Sequence, residues 1–230
     1  MAPKLLHKTD TPYHGQLSVT LTGADHDMVI SLLISLLEPI GQHRRTHIRS
    51  SHGKKRKRLQ GNSPATLPAP PPPPAIEGHI TVGLNSTTRH LEALAAASRP
   101  NSLGDVQQPS DSKHLAAVFL PAAASPLIHA HFPILSATAS LSHPSCPPTR
   151  LVYLTHSAEK RLAAALGLPR VGVIGLVEGA PGAHTLVDYV RSHVEPVDVP
   201  WLNEVLAGKW KGTEVLTVEP LAGIPIQPDL

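Results

Sequence analysis

The chain has 230 residues, of which 41% are hydrophobic, 25 are prolines and only 3% are aromatic, a balance that suits one packed domain joined to irregular segments. A single cysteine, Cys146, excludes an internal disulfide and a multi-cysteine zinc site, and no apolar run in the sequence reaches the length that spans a bilayer. Net charge is only +3, yet eight Lys or Arg and no acid stand between Glu38 and Glu77, so the other 12 basic residues face 17 acids and sum to −5. Basic charge confined to one segment is the pattern of a polyanion-binding arm. The start, Met1-Ala2-Pro3-Lys4, lacks the apolar core of a secretory signal, so a soluble, intracellular protein is expected.

In chain order, residues 1–22 mix prolines and histidines with a weak alternation at Leu17, Val19 and Leu21, and read as a flexible, mostly extended N-terminal segment. Thr22 and Asp25 resemble a capping box ahead of the apolar run Met28-Val29-Ile30-Ser31-Leu32-Leu33-Ile34-Ser35-Leu36-Leu37, and Pro39 predicts that this helix ends at residue 38. Apolar nearly all round and too short to cross a membrane, it belongs in a core. Residues 49–75 read as a linker in two parts. Lys54, Lys55, Arg56, Lys57 and Arg58 form a like-charge block that stays solvated unless it meets phosphate, and that also reads as a nuclear localisation signal; a solubilising loop is the plain alternative. The prolines at 70–74 stiffen the chain into polyproline II, as a spacer or as a ligand for a proline-binding domain.

From His79 onward strands and helices alternate. A strand is predicted over 80–82, a helix over 85–97, a strand over 114–120, a partial turn over 126–131, and a helix over 134–141 with Pro133 at its first position. A strand over 150–154 follows, then a helix over 158–166 with Ser157 as N-cap and Gly167 as its stop. A last central strand over 170–177 leads into a helix over 182–194 opened by Pro181, and Pro200 opens a short amphipathic helix. Such alternation implies a sheet with helices on both faces. Trp201 and Trp210 carry much apolar area for so aromatic-poor a chain and have the means to pack on the domain or on a neighbour.

Fifteen histidines invite a metal site, but His129 and His131 have no carboxylate or cysteine at ligand spacing, so a scattered set is expected and no metal or cofactor. Gly172, Gly175 and Gly179 miss the dinucleotide fingerprint, and no nucleophile elbow, Walker segment or paired-carboxylate pattern is present. No catalytic residue is therefore expected.

The richest stretch is Ile80-Thr81-Val82-Gly83-Leu84-Asn85-Ser86-Thr87-Thr88-Arg89-His90-Leu91-Glu92, a strand, a glycine turn and a helix start. Backbone N–H groups point outward unpaired at such a start, where an anion docks. Asn85 and Arg89 stand four apart, on one helix face, and their amide and guanidinium suit base edges and phosphates. The bland reading is a helix capped by Asn85 with Arg89 in water.

Gly83-Leu84-Asn85-Ser86-Thr87-Thr88-Arg89 resembles the G-x-N-E-x-x-K segment of the kink-turn-binding ribosomal protein superfamily. Ile40-Gly41-Gln42-His43-Arg44-Arg45-Thr46-His47, residues 83–94, Ala139-Ser140-Leu141-Ser142-His143-Pro144 and Leu162-Ala163-Ala164-Ala165-Leu166-Gly167-Leu168-Pro169-Arg170-Val171-Gly172 are, in that order, similar to the fungal Pop-three subunit family of RNase P and RNase MRP. The resemblance implies a three-layer α/β/α sandwich at residues 23–200, interrupted by the disordered basic and proline-rich insertion at 49–75 and followed by a C-terminal extension at 201–230. It further implies a non-catalytic, RNA-binding subunit of a nuclear, nucleolar RNA-based endonuclease acting on precursor tRNA and precursor rRNA, whose partners are structured RNA and the other protein subunits, with no membrane.

Carried over residue by residue, Gly83 and Leu84 form the turn, Asn85 takes the role of the guanine-bonding Asn, and Arg89 that of the Lys. Ser86 stands where the superfamily has Glu, and a hydroxyl cannot supply the paired oxygens that accept from guanine N1 and N2. The loop over 168–172, near RNA in the superfamily, offers Arg170 and Val171. A ribosomal or small nucleolar particle protein of the same fold, or a nuclear protein-interaction module, are the alternative readings.

Overall fold

The computed structural model describes residues 6–10, 21, 23–47, 71–98, 112–122, 126–208, 212 and 214–218. Leu17, Val19, Thr22, Trp210 and the block Lys54, Lys55, Arg56, Lys57 and Arg58 lie outside them. By internal contacts the chain divides into residues 17–197 and a smaller unit made of 1–16 with 198–230. In the smaller unit, strand β1 (Leu6–Asp10) pairs antiparallel with a strand near the far end of the chain (Glu214–Val218), Leu6 opposite Val218, and a short helix spans Pro200–Leu206.

The larger unit begins with α1 (Gly23–His47), followed by a 3₁₀ turn (Ala75–His79), β2 (Ile80–Val82), α2 (Leu84–Ala97) and β3 (Leu115–Pro121). After a second 3₁₀ turn (Pro126–His129) come α3 (Phe132–Ser140), β4 (Arg150–Leu154), α4 (His156–Leu166), β5 (Ile174–Val177) and α5 (His184–His193). The short helix of the smaller unit is α6 and its second strand β6. The sheet runs β2-β5-β3-β4, with β5 antiparallel to both neighbours and β3 parallel to β4.

Helices cover both faces. On one, Ala117, Phe119, Val152, Leu154, Ile174 and Leu176 pack with α1, α4 and α5; on the other, Leu115, Val118, Leu120, Leu151 and Val177 pack with α2 and α3. The strand alternation that sorts these residues slips once, because a bulge between Leu115 and Ala117 inserts Ala116, so Leu115 and Val118 share a face although they stand three apart. Phe119 and Phe132, both fully buried, anchor the two sides, each removal from water stabilising the fold by about 1.5–3 kcal/mol. This is the expected α/β/α sandwich.

Four local expectations are corrected. The first helix does not stop before Pro39; it runs on to His47 with the proline inside and exposed. Proline removes one backbone hydrogen bond and kinks a helix, but packing beyond it prevails: Ile40 and Gly41 are buried, and a Cβ on Gly41 would collide with the carbonyl of Ala165, so α1 and α4 touch backbone to backbone. His26 Nε2 accepts from Thr155 N–H at 2.7 Å and Arg45 Nη1 donates to Ala164 O at 2.9 Å, tying the same two helices at both ends.

The N-cap of α4 is Thr155, not Ser157, whose hydroxyl lies 2.9 Å from that of Thr155. β5 comprises only Ile174–Val177; residues 170–173 form a loop without regular structure, although Val173 O still accepts from Gly83 N–H at the end of the β2 pairing. α5 starts at His184 instead of 182, since Gly179 and Gly182 adopt φ of 70° and 75°, which no right-handed helix contains. Gly167 ends α4 as expected, at φ 65° with Leu168 N–H bonded to Ala163 O.

Candidate RNA interface

β2 ends at Val82, and the chain reverses at Gly83 with φ 101° and ψ 151°, a conformation closed to residues with a Cβ. Gly83 is also the N-cap of α2 and supplies no side-chain cap, so the first N–H groups of the helix keep their positive end toward solvent. Two bonds fix this turn. Gly83 N–H donates to Val173 O at 2.7 Å, joining it to the loop before β5, and the hydroxyls of Thr81 and Thr87 meet at 3.0 Å. Thr87 is fully buried. Room for the pair comes from Gly175 beneath it, where a Cβ would collide with Thr81 Oγ1 and press on Thr87 Cγ2. Helix start, strand end and central strand are thus locked in register.

On that base the side chains stand outward. Val82, Gly83, Leu84, Asn85, Ser86 and Arg89 line one shallow depression, with Asn85, Ser86 and Arg89 exposed. The four-residue spacing does place Asn85 and Arg89 together. Leu84, half-buried, is shared with an adjoining cleft of about 560 Å³ walled by Pro121, Ile128, His129, Val171 and Gly172 and flanked by His156, Glu159, Lys160 and Arg170. Arg170 is exposed at its rim, whereas Val171 is buried in the core and contributes wall alone.

Sequence reading missed Glu159, Lys160 and His156. The signal was there: 156, 159, 160 and 163 follow the spacing of one helix face, and three of them are polar. His129 is buried in the cleft wall, and burial, then the neighbouring His131, hold its pKa below the ordinary imidazole value. His131 Nε2 lies 3.0 Å from Thr88 Oγ1 and stacks obliquely on Phe132, tying α2 to the start of α3. Among the described residues no group of three or more His, Cys, Asp or Glu could hold a metal ion, and no helix is long and apolar enough to cross a membrane.

The sequence profile of the family described as RNase P subunit Pop3 matches residues 72–204, more than half of the chain. The chain belongs to that family. Among its relatives is the Ribonucleases P/MRP protein subunit pop3 of Schizosaccharomyces pombe, 33% identical over 129 residues, which are 56% of this chain and 57% of that protein. The match therefore spans a little over half the length of the curated relative. The family segment contains the Gly83 turn, the cleft and every strand of the four-stranded sheet, while α1, which covers one face of the core, precedes it.

Proposed function

We propose that the chain is a non-catalytic, RNA-binding subunit of ribonuclease P and ribonuclease MRP, working in precursor tRNA 5′ maturation and precursor rRNA processing in the nucleus and nucleolus. Membership of the Pop3 family supports the assignment. The observation that carries the RNA reading is the uncapped start of α2, held rigid by the Thr81–Thr87 bond and presenting Asn85 and Arg89 side by side.

Folded RNA is recognised by shape, by phosphate contacts and by bases splayed out of the stack. The helix start takes a phosphate or a base edge on its free N–H groups. The Asn85 amide both donates and accepts, and Arg89 reaches a phosphate or guanine edge. The cleft beside Leu84 has an apolar wall for one unstacked base, with Lys160 and Arg170 placed for its phosphates and Glu159 able to accept from an amino group. Because Ser86 offers no carboxylate, strict reading of a sheared G·A pair loses about 1–3 kcal/mol of discrimination. The block Lys54 to Arg58 adds adhesion by counterion release, which carries no sequence information. The catalytic centre is then the RNA, which this subunit stabilises.

Fluorescence anisotropy with a stem carrying tandem sheared G·A pairs, at low and physiological salt, tests the reading. Binding weakened in Asn85→Ala and Arg89→Ala supports it. A chain that ignores structured RNA at low salt, or a double variant that binds as the parent does, refutes it. Sequencing the RNA that copurifies separates RNase P and MRP RNA from ribosomal or small nucleolar RNA.

A further inference from the structure

At the strand ends opposite the Gly83 turn, His114 precedes β3, Arg150 opens β4 and Glu178 follows β5, with Glu178 N–H bonded to His114 O at 2.8 Å. α5 adds Arg191, whose Nη2 donates to Glu178 Oε2 at 2.6 Å. Arg191 is thereby neutralised.

Arg150 is not. Half-buried, it makes one hydrogen bond among the described residues, Nη1 to Pro148 O at 3.1 Å, and its Nε is enclosed with no acceptor. Burial, then the charge of Arg191, lowers its pKa, so the cation is held at an electrostatic cost. His114 is 3% exposed, its Nε2–H donates to Pro147 O, its Nδ1 has no partner among the described residues, and burial, the largest cause, lowers its pKa. Lys113 is exposed, 3.5 Å from His79 Nε2, and water screens it. Among the described residues, two guanidiniums and one carboxylate leave one cation without a counter-charge, and enclosed polar atoms lacking partners mark a place where something is missing.

We propose that Arg150 receives a carboxylate, the Asp or Glu side chain of a neighbouring protein subunit. One missing negative charge fits one side chain, and planar guanidinium matches carboxylate in a two-point bond. An RNA strand is the poorer occupant: its successive phosphates would meet the Glu178 carboxylate, 30% exposed at the same place, and the uncapped helix start lies at the other strand ends.

The test uses the full chain assembled in its purified particle. Arg150→Lys keeps the cation and supplies an amine, so carbodiimide treatment and mass spectrometry are expected to find that lysine joined to an Asp or Glu of another protein. Linkage only to Glu178 of the same chain, or none while Lys113 and Lys160 react, overturns the proposal, as does a particle with no other protein. Arg150→Glu is expected to weaken retention of the partner about 30-fold or more while the free chain binds RNA as before. Equal loss of RNA binding by the free chain would assign the site to RNA and also overturn it. Arg150→Met, compared by melting, separates loss of folding from loss of docking. These readouts are independent of the RNA assays at Asn85 and Arg89.

Discussion

Gly83→Ala isolates the backbone of the turn from everything around it. A Cβ at Gly83 meets nothing within 4 Å, so the substitution adds no clash. Its whole effect comes from φ 101° and ψ 151°, a region that costs a residue with a Cβ on the order of 1–3 kcal/mol. That energy has two outlets. If the turn keeps its shape, the native state loses about 1–3 kcal/mol and RNA affinity is unchanged. If the turn relaxes, stability is spared, the N–H groups and Asn85 swing away, and affinity falls by about 5- to 150-fold, the same energy expressed in binding. The sum of the two losses should stay near that range. Urea denaturation gives the first and anisotropy with a sheared-pair stem the second. Gly172→Ala, also with open space around the new Cβ but without the positive φ, is the control and should leave stability unchanged. A Gly83→Ala protein that loses neither stability nor affinity would falsify the claim that this turn positions the interface.

Gly41→Ala drives a Cβ into the Ala165 carbonyl, a backbone atom that cannot rotate aside; a stability loss of about 1–3 kcal/mol is expected from overpacking, read by urea midpoint. Arg89→Ala should flatten the dependence of log K on log salt by about one unit if Arg89 meets a phosphate; an unchanged slope would reassign it to a base or to water. Acid should destabilise the fold through His114 and His129, whose pKa values are lowered mainly by burial. The unfolded chain binds the proton more readily, so stability is full above the ordinary value of 6.5 and is lost as pH falls below it toward the depressed folded value. His114→Gln keeps a donor toward Pro147 O without titrating, and should reduce the slope of stability against pH in that window; an identical slope would show that His114 does not contribute.

What could be read in the sequence was whatever local chemistry decides. Gly167 after an apolar-faced helix, Pro133 at a helix start and the run from 114 to 120 all announce themselves, because turn geometry and burial act over a few residues. Pro39 misled for the opposite reason: its local rule is sound, but Gly41 against Ala165 lies 124 positions away in the chain and outweighs it. The pairing of Leu6 with Val218 is remoter still, and neither strand carries an alternation strong enough to name its mate. In the candidate site, the shared face of Asn85 and Arg89 was legible from spacing. The Thr81–Thr87 bond was not, since its reason is the missing Cβ of Gly175 on another strand. Val171 shows the converse: its neighbour Arg170 faces water, yet Val171 turns into the core.

Ser86 is the residue on which these threads meet. Outside the basic stretch the chain carries 12 basic and 17 acidic residues, a net −5, so its body repels a polyanion at long range. A Glu at the start of α2 would read guanine but would also place another negative charge where a phosphate must approach. In the proposed mode of binding, serine removes that repulsion at the expense of base discrimination and leaves the contacts to the helix N-terminus, Arg89 and the basic segment. Ser86→Glu should therefore separate the two effects. With a sheared G·A stem, affinity should rise by up to about 1–3 kcal/mol. With a plain duplex it should fall, most clearly at low salt where charges are least screened. Equal changes on both RNAs would mean that position 86 does not face the bases, and the placement of RNA on this turn would have to be abandoned.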